Sequence, residues 1–119
     1  MKTIDEIADA VHRNAIAHGF HPDGQTEREF INEQVCNLHG EVSELHEAWR
    51  ANTLRQLCDK GAKMLELGIP PLTCIEEEYA DIIIRALDQC RRLGVDISRA
   101  IEIKHRFNCT RPFKHGKQS

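Results

Sequence analysis

No stretch of the sequence approaches the run of about 18 apolar residues that a membrane-spanning helix needs. There is no excess of basic charge: the formal net charge is -3, so electrostatics give no case for a nucleic-acid polymer as partner. Cys-x-x-Cys is also missing. The five cysteines, Cys36, Cys58, Cys74, Cys90 and Cys109, are odd in number and widely spread, which argues against a zinc knot or a redox pair. Free cysteines of this kind suit a reducing cytoplasm, which is the expected compartment. The amphipathic, acidic start MKTIDEIADAV is unlike the basic and then apolar order of a signal peptide. Internal repeats, low-complexity stretches and a strong alternating strand pattern are absent too.

What the sequence does contain is a set of helix signals. Thr3 with Glu6, Thr26 with Glu29 and Thr73 with Glu76 are three capping boxes, in which a threonine and a carboxylate three residues on satisfy each other's backbone N–H groups. The first opens a helix closed by Gly19, and FHPDGQ then reads as a turn. The second opens a long helix expected to run to Leu57. The third, just after Pro70-Pro71, opens a helix stopped by Gly94. Asp96 caps another helix to about Phe107. Between these, Cys58 to Leu72 reads as a connection that runs back beside the long helix, with a short helical piece closed by Gly68. At 119 residues the expectation is one all-α domain over residues 1–119, a four-to-five-helix bundle with antiparallel core helices and a basic tail over 111–119.

Two of the helices carry paired carboxylates. With Glu78 as the zero of a helical wheel, Ile75, Tyr79, Ile82, Ile83, Ala86, Cys90 and Leu93 fill a sector from roughly 40° to 140°. Glu78 rims that stripe, and Asp81 stands about 60° further out. Three residues apart, they are neighbours able to grip one cation, although alone such a pair reads as a solvated acidic flank. Upstream, Glu41 and Glu44 repeat the spacing beside a stripe of Ile31, Val35, Leu38, Val42, Leu45 and Trp49. Packed stripe to stripe and antiparallel, the helices bring both pairs to one side. Four carboxylates with no lysine between them repel strongly, a state tolerable mainly with divalent cations bound.

On the last helix Lys104, Asn108 and Arg111 share a side, with Lys117 and His115 beyond. They read either as a basic last turn complementing the helix dipole or as an anion clamp. Acidic metal-binding helices with a basic strip describe a site for a polyphosphate held through Mg²⁺.

The segments GEVSELHEAWR, EEEYADIIIRALD and KHRFNCTRPFKHGK together resemble the MazG-like branch of the all-α nucleoside triphosphate pyrophosphohydrolases, over roughly Thr26 to Lys117. HRNAIAHGFH is similar to the segment that precedes the motif in that family. The shared pattern is Glu-x-x-Glu, a gap, Glu-x-x-Asp, then a lysine and an asparagine on the last helix. The gap here, long for the family, owes its excess to Cys58 to Leu72. The resemblance implies hydrolysis of a nucleoside or deoxynucleoside triphosphate to the monophosphate and pyrophosphate, for pool control or house-cleaning. It implies Glu41, Glu44, Glu78 and Asp81 as ligands of Mg²⁺ (Mn²⁺ a possible substitute), and Lys104, Asn108, Arg111 and Lys117 as phosphate contacts. Either Glu41 or Glu44 would take the proton from water.

Two other classes compete. Glu102-x-x-His105 has the ligand spacing of a di-iron helical bundle, though such a site needs two copies. A non-catalytic helical adaptor would carry the same charged faces merely solvated. Assembly is expected as well: Ile84 near 240° on its wheel, and Leu54 and Cys36 near 220° on theirs, stand behind the main stripes and suggest a second buried surface. With the family's habit of building its core between subunits, this points to a homo-oligomer, a dimer or a tetramer. His12, His39 and His46 read as surface or intersubunit residues.

Overall fold

The structure, a computed structural model, describes residues 2–116. It is all-helical: α1 (Ile4–Ala17), α2 (Glu27–Arg50), α3 (Gly61–Glu66), α4 (Cys74–Arg92) and α5 (Ile97–Cys109), followed by a 3-10 turn, Phe113–Gly116. Among the described residues the extended pairing is limited to one isolated bridge, Leu57 with Thr73.

Each long helix begins where its cap dictates. Thr3, Thr26 and Thr73 all accept from the backbone N–H three residues on, and Glu6, Glu29 and Glu76 accept from the threonine N–H groups in return. Asp96 accepts from the Arg99 N–H at 3.2 Å to start α5. Gly68 and Gly94 take the left-handed backbone that ends their helices, at φ +74° and +70°.

α2 stops at Arg50, seven residues before the expected end at Leu57. Asn52 supplies the reason. It adopts φ 57°, its N–H bonds to Trp49 O, and the Thr53 N–H reaches back to Ala48 O, both at 3.0 Å. This is a Schellman stop with asparagine in the place usually held by glycine. The chain then makes a further turn, with the Gln56 N–H bonded to Thr53 O at 2.9 Å. Ile75 N–H donates to Leu54 O, Cys74 N–H to Gln56 O and Cys58 N–H to Leu72 O, at 2.8 to 2.9 Å. The return towards the site is therefore made by this short clip, while α3 sits in the excursion between its two arms.

α4 packs against both α1 and α2, and α1 also touches α5. On one side Arg91 pairs with Asp5 and Asp9 of α1. On the other, Arg85 pairs with Glu41 and Gln89 Nε2 donates to Gln34 O at 3.0 Å. α2 and α4 thus meet along the polar rims of their apolar stripes, and beyond the rims Val42, Leu45 and Trp49 line a shared cavity with Ile75 and Tyr79. The buried apolar residues are Ala8, Phe30, Cys58 and Leu87. Much of both stripes stays open: Trp49 is 62 % exposed, Ile83 55 % and Tyr79 52 %. Ile84, read from the sequence as part of a second buried surface, lines a cavity with α1 residues and is 41 % exposed. No described helix is long and apolar enough to cross a membrane.

The Thr73 cap holds the start of α4 against the clip. Thr73→Ala should cost about 1 kcal/mol of stability by chemical denaturation, and Thr73→Ser should restore most of it.

Candidate metal centre

α2 and α4 bring Glu41, Glu44 and Glu78 together, with a carboxylate oxygen from each inside a 4.8 Å spread. Glu41 is buried, Glu78 half-buried and Glu44 exposed, so the set runs from the helix interface out to solvent. Asp81 stands in the same field: its carboxyl is pushed up by burial first, then by Glu41 and Glu77, with Lys60 and Arg85 pulling the other way. Burial and the neighbouring carboxylates, Glu44 foremost, push Glu78 up to about 7. Glu44 is raised for the same reasons, burial ahead of Glu41. One oxygen each of Glu41 and Glu78 is buried with no hydrogen-bond donor at all.

Two residues of this neighbourhood had escaped the sequence reading. Arg85 donates to Glu41 Oε1 at 2.5 Å, so a cation does stand among the carboxylates where none was expected. Its angle on the α4 wheel, between those of Glu78 and Asp81, was the available signal. Lys60, on the α3 side of the clip, pairs with Glu77 at 2.5 Å and with Asp59 at 3.5 Å. No periodicity could have announced that contact, because Lys60 lies outside the long helices.

Between α1, α2 and α4 lies a cavity of about 490 Å³. Glu41, Asp81 and Arg85 form part of its wall, and Val11, Asn14, Phe20 and Ile84 line it elsewhere. The basic strip is not there. Lys104 and Asn108 line a separate groove of about 410 Å³ made by α5 residues alone. Lys104 and Arg111 lie over the Phe107 ring, at 4.9 and 5.6 Å. Asn108 Oδ1 is buried without a donor. Lys117 falls outside the described residues. Glu102 and His105 are exposed on α5, and neither belongs to a group of candidate metal ligands.

Comparison of the chain with protein-family models, curated proteins and solved structures finds no match.

The donor set is all oxygen, the preference of Mg²⁺ and its relatives, and the two orphaned buried oxygens are acceptors awaiting a positive partner. Glu78 gives a way to see this in solution. Its folded value of about 7 lies above the ordinary 4.5, so between those values the folded chain holds more protons than the unfolded one. Stability without metal should therefore fall as pH rises through that window. Thermal melts in a chelator across the same range should show the decline. Glu78→Gln should flatten it, as should saturating Mg²⁺.

Proposed function

We propose that the protein hydrolyses nucleoside or deoxynucleoside triphosphates to the monophosphate and pyrophosphate, with Mg²⁺ as cofactor. The observation that carries this reading is the meeting of Glu41, Glu44 and Glu78 with two buried, donorless carboxylate oxygens among them. The motif order in the sequence supports it: Glu-x-x-Glu, Glu-x-x-Asp, then Lys104 and Asn108. Glu41, Glu44, Glu78 and Asp81 would hold the ion. Mg²⁺ supplies positive charge against a polyphosphate and acidifies nearby water.

The residues divide the remaining work. Glu41 is tied to Arg85, whereas Glu44 is exposed, free of any arginine and raised in pKa, which favours Glu44 as acceptor of the water proton. Attack on the α-phosphorus with departure of pyrophosphate needs no side-chain nucleophile. The adjoining cavity is within the range of small-molecule sites, and its apolar wall suits a nucleoside.

The reading includes an antiparallel α2–α4 core, favoured by the order of contacts: Glu44 near Glu78, Glu41 at Arg85, Gln34 at Gln89. It also includes a homo-oligomer, a dimer or tetramer. The exposed stripes on α2 and α4, carrying Val42, Trp49, Tyr79 and Ile83, are the surface to be covered by another copy. A basic strip whose groove holds none of its own chain's metal-site carboxylates would then serve a site shared between copies. Lys104, Asn108 and Arg111 are its described phosphate contacts.

A coupled pyrophosphate assay over the common triphosphates, dUTP and oxidised guanine nucleotides tests the activity. Mg²⁺-dependent pyrophosphate release should vanish in Glu41→Gln and Glu78→Gln variants that remain folded. Glu44→Gln should lose roughly 10²- to 10⁴-fold in turnover. Orthophosphate and a diphosphate as products would overturn the cleavage position, and no release from any triphosphate would overturn the function. For the assembly, light scattering should give a multiple of 13.6 kDa that Ile83→Glu reduces to the single-chain mass.

A further inference from the structure

A second cluster of donors lies two turns along α4 from Asp81, on the same face of the helix. His12 of α1, His21 of the α1–α2 turn and Asp88 of α4 converge although 67 and 76 residues separate the histidines from the aspartate. His12 Nδ1 lies 2.8 Å from Asp88 Oδ1, and His21 Nε2 lies 2.8 and 2.9 Å from the two carboxylate oxygens. The cluster is enclosed: the side chains of Asp88 and His21 are 10 % and 8 % exposed, that of His12 22 %. His21 is set by packing, stacked on the fully buried Phe30 at 5.4 Å and edge-on to His12 at 4.9 Å. His12, read from the sequence as a surface residue, belongs to the interior of the α1–α4 contact.

Asp88 is buried without a guanidinium partner, even though arginines surround it on its own helix. Arg85 is committed to Glu41, Arg91 to Asp5 and Asp9, and Arg92 to Gln25 O and the Phe30 ring. A buried carboxylate is expensive unless a cation or several donors meet it. Among the described residues the donors that reach it are two imidazole nitrogens, both of them metal-ligating atoms.

We propose that His12, His21 and Asp88 form a transition-metal site for Zn²⁺ or a similar divalent ion, separate from the carboxylate set. Two imidazoles and one carboxylate select such ions over Mg²⁺, and three protein ligands leave a position open, as in hydrolytic zinc sites. In a tetrahedral Zn²⁺ site the ligand atoms stand roughly 3.3 Å apart, about half an ångström wider than the present hydrogen bonds. The ring protons now aimed at Asp88 would move to the other nitrogens, His12 Nε2 and His21 Nδ1, the latter buried with no hydrogen-bond partner among the described residues. Asp88 lines the cavity that also holds Glu41 and Asp81, so the ion would stand on the wall of the same chamber. Because its ligands meet only in the folded chain, the ion would pin α1 and the turn after it onto α4.

The test uses Co²⁺ as a spectroscopic probe on the untagged full chain, with excess Mg²⁺ present to occupy the carboxylates. One equivalent of Co²⁺ should give visible d–d absorption, and one equivalent of Zn²⁺ should abolish it and raise the melting temperature. His21→Gln and His12→Gln should each lose the band and the Zn²⁺ shift, while Glu78→Gln keeps both. Should His21→Gln fail to fold by circular dichroism, the more exposed His12→Gln decides. Absence of the band in the wild type, its survival in His12→Gln, or its loss in Glu78→Gln alone would overturn the site.

Discussion

Carboxylates repel, and this chain crowds them onto two facing helices. Glu41, Glu44, Glu78 and Asp81 share one field with a single arginine among them, and three of the four are driven towards their protonated forms. Only a scaffold with other sources of cohesion can hold such a set together. That cohesion comes from α4, which is tied on one side to α1 through Arg91 and Asp88, and on the other to α2 through Arg85 and Gln89. The helix is a polar spine, and hydrogen bonds and ion pairs rather than an oily interior set its neighbours.

That arrangement explains what could be read from the sequence and what could not. Helix starts were legible because each is a local event, a threonine and a glutamate three residues apart. The joining of Glu41 and Glu44 with Glu78 was legible too, since equal spacing on two amphipathic helices is a strong constraint on how they face. The end of α2 was missed because Asn52 is a weaker stop signal than glycine, and the apolar pattern continues past it to Leu54 and Leu57. The clip between residues 54–58 and 72–75 was missed because it is too short to show alternation.

The wheels say less about how much of each stripe is covered. Apolar periodicity identifies the face that avoids water, but not which chain covers it. Among the described residues the buried apolar side chains are Ala8, Phe30, Cys58 and Leu87, so the outer parts of the α2 and α4 stripes stay open while Leu45 and Ile75 border a cavity that the two helices share. Ile84, behind the main stripe, lines a cavity with α1 residues yet stays 41 % exposed. The setting of His12 was not legible, because a histidine on a mixed face gives no sign of an aspartate 76 residues away.

The clip has a consequence for how the length of this chain can vary. Its three backbone hydrogen bonds join the exit of α2 to the entry of α4, so the register of the two acidic helices is set before the intervening residues are counted. Residues 62–71 lie outside that closure and bear on the site only through the entropy of their own loop. Such a cost grows slowly, by about 0.6 kcal/mol for each doubling of length. The excursion holding α3 is thus a place where residues can be gained or lost while the carboxylates keep their positions, and a long gap between the two acidic motifs is mechanically equivalent to a short one.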